Sequence, residues 1–306
     1  MKLRGFVLFF LRHLKHVIPV DKVRKIPGVL PIWRSLHGFL ISPDILQIRC
    51  TGLWLFVNSR DQGVASFLID EGVYEKLETK LFEDSVKPGM VVIDVGSNVG
   101  YYALIAAKLL DGTGHVYAFE PDPKNYDLLT RNILENKYTN VFAVNKAVAD
   151  KASIMKLFLG SRNFAGNSLS QANITSGSSV VEVDAISLDQ FVNETGLASV
   201  DLLKIDVEGA EGLVCGGARR LLASGNTRIF MEFWPEGLRK LGTDALDLAH
   251  HLMSYGYSIS VIDEIGKRLQ KLKDESDILR IIERCNVADT EQDSRVNLLL
   301  EKKTDT

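Results

Sequence analysis

Four acidic residues stand where a chain of alternating strands and helices would gather them: Asp94 in VVIDVGSNVG, Glu120 in HVYAFEPDP, Asp150 in NKAVAD and Asp206 in LLKIDVEGAE. Each closes or follows a short apolar run of the kind that forms a strand buried on both faces. In an open parallel sheet, ligands bind beyond the carboxyl ends of the strands, so acidic groups at successive ends converge on one ligand. Their neighbours divide the work. Gly96 and Gly100 bracket a tight turn that opens a helix and offers backbone N–H groups at its N-terminus. Glu120 can accept two hydrogen bonds from a vicinal diol such as that of a ribose. Asp206, with Glu208 and Glu211 in the turn after it, could take a proton from a hydroxyl. The glycine turn is not a dinucleotide fingerprint, because Asn98 and Tyr101 occupy glycine positions of G-x-G-x-x-G, and no Gly-Lys-Ser/Thr follows to make a phosphate loop.

The elements that must position these groups follow from the punctuation of the chain. Met90 to Asp94 reads as the first central strand, after the Lys87-Pro88-Gly89 turn, and YYALIAAKLL as the helix behind it. HVYAFE is the second strand, and Asp122-Pro123 caps and opens the next helix. Strands are expected at 141–145, 155–159, 180–185, DLLKID, 228–233, 257–262 and 295–301, with helices at 187–192, 208–222 and from a Thr243 cap to Met253. Before residue 86 the alternation is absent. Ile45 to Cys50 and Leu53 to Asn58 read as a hairpin about Thr51-Gly52, and Glu71 to Phe82 as one helix. Residues 1–85 therefore form an N-terminal extension and 86–306 the main domain, with a polar loop rich in Asn, Ser and Gly between the strands at 155–159 and 180–185.

Composition narrows the classes. The 306 residues carry a net charge of -3 and are 46% hydrophobic and 25% charged, which excludes disorder and gives no basic footprint for nucleic acid. The cysteines Cys50, Cys215 and Cys285 are too few and too dispersed for a disulfide framework or a zinc site, and read as buried thiols in a reducing cytoplasm. The apolar run Phe6 to Leu11 is too short to span a membrane and precedes no small-residue cleavage site. As a helix, residues 1–20 show an apolar stripe flanked by Lys2, Arg4, Arg12 and Lys15, suited to docking on the protein, to pairing subunits in a homo-oligomer or to peripheral contact with an anionic membrane surface.

VVIDVGSNVGYYALIAAK, YAFEPDPKNYDLLTRNILEN, VNKAVAD, LLKIDVEGAE and IFMEFWPE together resemble the FkbM-type family of S-adenosylmethionine (SAM)-dependent methyltransferases, over about residues 71–235. The resemblance implies the class I methyltransferase fold, an α/β Rossmann-like architecture with a seven-stranded sheet whose last strand is antiparallel. It also implies O-methylation of a hydroxyl on a sugar, glycan or other small metabolite. Carried onto this chain, Asp94, Gly96, Asn98 and Gly100 are expected at the methionine and ribose end of SAM. Glu120 would hold the ribose, Pro121 and Asp122 border the adenosine, and Ala147 and Asp150 meet the adenine. An alcohol needs a positioned base, and Asp206 is the first candidate, followed by Glu208 and Glu232, with Lys204 on the same strand face as Asp206. Glu208 and Glu211 also suit a plain helix N-terminus. Clustered carboxylates could hold Mg2+, but with no histidine beside them no metal site is expected. Methylation of RNA or DNA, a nicotinamide-dependent oxidoreductase and a non-catalytic binding module are the alternatives. Against them stand the balanced charge, the absence of an Asn/Asp-Pro-Pro-aromatic turn, the missing glycines and the intact acidic series.

Overall fold

The computed structural model describes residues 44–160, 166–174, 178–224, 226–288, 290 and 293–302. The amphipathic stretch at 1–20 lies outside them. In chain order the hairpin strands are β1 (Ile45–Cys50) and β2 (Leu53–Asn58), followed by helices α1 (Val64–Glu71) and α2 (Lys76–Ser85). Then come β3 (Val91–Val95), α3 (Tyr101–Leu110), β4 (His115–Phe119), α4 (Pro123–Glu135), β5 (Val141–Val144) and β6 (Ala147–Val148). The middle of the chain forms β7 (Ser153–Gly160), β8 (Ser178–Ile186), α5 (Leu188–Thr195), β9 (Leu202–Ile205), α6 (Glu211–Gly216) and α7 (Arg219–Ser224). The last part forms β10 (Arg228–Phe233), α8 (Pro235–Lys240), α9 (Ala245–Ser254), β11 (Tyr257–Asp263), β12 (Arg268–Lys271), α10 (Glu275–Asn286) and β13 (Val296–Lys302).

The main sheet runs in the order β12-β11-β13-β10-β9-β3-β4-β5. β3, β4, β5, β9 and β10 are parallel, while β13 inserts antiparallel between β10 and β11. This is the expected sheet with its antiparallel last strand, and β12 adds an eighth strand as the outer arm of a hairpin with β11. Both faces are covered, and side-chain alternation sorts the core. Ile93, Leu203, Ile229 and Met231 pack with α5, α6 and α9 on one side. Val92, Leu202, Phe230 and Leu299 pack with α2, α3 and α4 on the other, sharing a cluster with Leu53, Leu55 and Val57 of β2. β6, β8 and β7 form a separate small sheet. Cys50, Cys215 and Cys285 are free and buried, as expected. Among the described residues no helix is long and apolar enough to cross a membrane.

Three local expectations are corrected. The helix expected over 71–82 is two helices, because Gly72 closes α1 in the left-handed region and Glu75 enters α2 at φ 43°. α2 lacks a local side-chain cap, and the Glu264 carboxylate from the β11–β12 turn accepts from its Leu77 and Glu78 N–H groups instead (3.0 and 2.8 Å). The helix expected over 208–222 starts only at Glu211 and divides into α6 and α7, since Glu208 (φ 53°) and Gly209 (φ 98°) are left-handed. Its interruption at Gly217 is a close approach, where a Cβ would lie 2.1 Å from the Ala149 carbonyl oxygen. The cap of α9 is Asp244, accepting from Leu246 and Asp247, rather than Thr243.

β2 docks against α4 through two asparagines one helical turn apart. Asn136 accepts from Trp54 N (2.9 Å) and donates to Trp54 O (2.6 Å), and Asn132 does the same for Phe56 (2.6 and 3.1 Å). Asn132, fully buried, also donates to Val99 O in the glycine turn (2.8 Å). Asn132→Ala would strand three buried backbone groups, so it is expected to lower stability by about 2–4 kcal/mol in denaturant unfolding; a loss under ~1 kcal/mol would show that water replaces the amide.

Candidate active site

Gly96 sets how closely the sheet's central strands meet at their carboxyl ends. It has φ +84°, and a Cβ there would lie 1.8 Å from the Asp206 carbonyl oxygen, so only glycine lets the turn after β3 touch the end of β9. Gly96 and Ser97 both donate to Phe119 O, which fixes the turn against β4 (3.0 and 2.9 Å). Asn98, itself left-handed at φ 51°, points its N–H at Glu120 Oε2, and Asp122 N–H meets Oε1 (both 2.8 Å). Glu120 is thereby oriented by backbone on both oxygens, and burial pushes its carboxyl up to about 8. Below it Asp94, 2% exposed, keeps one oxygen (Oδ2) without a partner and is pushed by burial to about 6.

A cleft follows these groups. Gly96, Asn98, Glu120, Pro121, Ala147 and Asp206 line it, with Phe119, Val148, Leu157, Leu169 and Val207 as its apolar part. Asp122 stands behind the lining, capping α4 through Lys124 N and accepting from Asn167 Nδ2 (2.9 Å). Gly100 is at the start of α3, facing Leu129 rather than the cleft. Asp150 is exposed and outside the lining, because the chain turns away after β6 towards β7.

Beside the cleft lies a second set of groups, arranged by strand register. Lys204 pairs across the sheet with Asp94 and Phe230, and the next residues outward on that face are Asp206, Glu232 and Asn297. Lys204, 1% exposed, places Nζ 3.1 Å from Glu78 Oε1 and 3.5 Å from Asp206 Oδ2, and 5.0 Å over the Tyr102 ring. Burial opposes its charge, but Glu78, Asp206 and Glu75 more than offset that and hold the ammonium well above its usual range. Glu75 accepts from Tyr102 Oη (3.1 Å) and Asn297 Nδ2 (2.7 Å), and burial with the charge of Glu78 raises its carboxyl. Arg295 Nη1 lies 2.6 Å from Glu208 Oε2 and 3.0 Å from Glu232 Oε1, its guanidinium 4.4 Å over the Trp234 ring. One oxygen each of Asp206, Glu208 and Glu232 lies within 4.8 Å of the others.

Glu208 owes its orientation to the polar loop. Ser168 Oγ and Asn173 Nδ2 both donate to Glu208 O (2.8 and 2.9 Å), holding its left-handed turn in place. Glu211, which the sequence offered as a helix-dipole residue, folds back to accept from Gly209 N (3.1 Å). Sequence reasoning missed Glu75, Glu78, Arg295 and Asn297, all from the flanks. One signal was available: a lysine inside the apolar run LLKI requires a buried anion from elsewhere, though not which one.

A strand, glycine turn and helix with an acidic residue at each neighbouring strand end, on this sheet order, define a class I methyltransferase-type fold. The methyltransferase FkbM domain profile matches residues 94–259, and the chain belongs to that family. Its relatives include the 31-O-demethyl-FK506 methyltransferase FkbM of Streptomyces tacrolimicus, 27% identical over 43% of this chain and 60% of that protein. The 2-O-methyltransferase NoeI of Sinorhizobium fredii is 28% identical over 44% of this chain and 60% of its own length. This chain thus spans about three fifths of the length of both relatives. A SAM-dependent O-methyltransferase structure from Thermotoga maritima is 14% identical over 89% of this chain and 82% of its own, with a TM-score of 0.42.

The buried carboxyls predict a pH dependence. Glu120 and Glu211 have ordinary values of 4.5 and are pushed by burial to about 8 in the folded chain, so the folded state binds more protons than the unfolded one between those values. Stability must fall as pH rises through that window and level off above it. The thermal midpoint of the ligand-free protein is expected to be higher at pH 6 than at pH 9, with a shallower slope in Glu120→Gln; a midpoint that climbs with pH would contradict the assignment.

Proposed function

We propose that this chain is a SAM-dependent O-methyltransferase acting on a hydroxyl of a sugar or comparable polyhydroxylated small molecule. The observation that carries the reading is Asp206: its carboxylate, 26% exposed, stands at the rim of the cleft that Gly96 and Glu120 define, beside a buried ammonium. The residues present fit SAM, since Gly96 lines the cleft, Glu120 presents an oriented carboxylate, and Asp94 has an oxygen still to be bonded. When bound, SAM would supply an electrophilic methyl group on a good leaving group.

The chain's own work is to bind, orient and deprotonate. Glu120 would accept both ribose hydroxyls, and the apolar wall of Leu157, Leu169 and Val148 would exclude water from the adenosine end. Asp206 would take the acceptor hydroxyl's proton on a carboxylate oxygen, with the Lys204 ammonium 3.5 Å away. Glu75, Glu232 and Asn297 would hydrogen-bond neighbouring hydroxyls of the acceptor. Helix α2, from the described part of the N-terminal extension, and the last strand would then act as acceptor-side walls of the methyltransferase domain at 86–306. Two relatives, the 2-O-methyltransferase NoeI and the hexuronic acid methyltransferase AglP of Haloferax volcanii, support by their names an oxygen acceptor on a sugar.

Calorimetry with S-adenosylhomocysteine tests the cofactor half, and turnover across a panel of glycosides and polyols tests the rest. Glu120→Ala is expected to weaken the nucleoside by at least about tenfold. Asp206→Asn should keep that affinity while lowering kcat by roughly 10²- to 10⁴-fold. A wild-type chain that does not bind S-adenosylhomocysteine, or an Asp206→Asn variant with full turnover, would overturn the proposal.

A further inference from the structure

Asp206, Glu208 and Glu232 form the one group of side chains among the described residues with the spacing to hold a metal ion. A divalent cation bound through such oxygens would sit between them. That region already contains a positive charge. Arg295 Nη1 bridges Glu208 Oε2 and Glu232 Oε1 at 2.6 and 3.0 Å, and its side chain is only 14% exposed. Two features keep it there. Val296, the next residue, pairs with Phe233 in the β10–β13 ladder, so the antiparallel register delivers residue 295 beside Trp234, whose ring lies under the guanidinium at 4.4 Å. Glu208 is held from behind through its backbone by Ser168 and Asn173.

We propose that Arg295 is the resident cation of the acceptor side, filling the place among Asp206, Glu208 and Glu232 that a divalent metal ion would otherwise take, so that methyl transfer runs without a metal. Arg295 is then a positioning residue. Its Nη1 donates to both Glu208 and Glu232, which fixes them as hydrogen-bond acceptors of set direction, as a hydrated ion would not. Glu232 Oε2 remains buried without a hydrogen-bond partner. Arg295 lies beyond the matched segment 94–259, so this part of the site comes from the chain's own C-terminal strand.

The activity arm of the test rests on the methyltransferase reading, and the cation arm does not. Full-length wild type, Arg295→Ala and Arg295→Lys would be compared for Mn2+ binding and S-adenosylhomocysteine binding by calorimetry, and for methyl transfer before and after exhaustive chelation. Wild type is expected to bind Mn2+ weakly and to keep its transfer rate after chelation. Arg295→Ala, with three carboxylates left facing one another, should gain Mn2+ affinity by on the order of tenfold or more. Its S-adenosylhomocysteine affinity should be unchanged, and its lowered kcat should recover in part when Mn2+ is added. Wild-type transfer that is lost on chelation and restored by Mn2+ would overturn the proposal, as would a folded Arg295→Ala chain with no gain in Mn2+ affinity. If Arg295→Ala does not fold, Arg295→Lys decides: transfer that survives chelation supports the proposal, and transfer that requires Mn2+ overturns it. Absence of S-adenosylhomocysteine binding in wild type would instead count against the methyltransferase reading alone.

Discussion

The buried ammonium of Lys204 is the constraint on which the charged half of the site depends. A charge taken out of water is costly unless its partners are close and fixed, and Lys204 draws those partners from separate parts of the chain. Glu78 comes from α2 in the N-terminal extension, Asp206 from the end of its own strand. An uncompensated ammonium in the sheet would be strongly destabilising, so α2 must dock where it does. That docking brings Glu75 to Tyr102 and Asn297, and Glu264 to the open end of α2. One electrostatic requirement thus orders elements far apart in sequence.

The two halves of the site use different physics. On the proposed cofactor side the shaping agents are backbone: the left-handed Gly96, the N–H groups of Asn98 and Asp122, and a carboxylate they orient. On the proposed acceptor side they are full charges, Lys204 and Arg295, set among Glu75, Glu208 and Glu232, whose burial favours the protonated form. Backbone recognition suits a ligand of fixed shape, because it depends on the turn's geometry rather than on long side chains. Of these groups Arg295, with Glu75 and Glu78, lies outside the shared segment 94–259, where a strand or helix can change without disturbing the turn.

This division explains what the sequence made legible. The glycine turn, Glu120 and Asp206 belong to a local grammar of strand, turn and helix, so both their elements and their convergence could be read from spacing. The family assignment followed from those same motifs and is borne out by the profile match over 94–259. Glu75, Glu78, Arg295 and Asn297 enter through tertiary docking and strand register, which leave no local mark. The two helix errors share a cause: at Glu75 and Glu208 a non-glycine residue takes a left-handed conformation, against its intrinsic preference, because contacts from distant segments hold it there. Asp150 lies outside the cleft lining for a related reason, since its position depends on where a loop turns.

The asparagine pair on α4 has one more consequence. A hairpin strand with an open edge is a template for pairing with another chain. In β2 the groups on that edge at Trp54 and Phe56 are answered by the side-chain amides of Asn136 and Asn132, which imitate the peptide groups of a neighbouring strand. A helix thereby serves as the next strand, and at those positions the edge has no donors or acceptors left to offer an intruding chain. Because Asn132 also holds Val99, one of the two amides that guard the hairpin also holds the glycine turn.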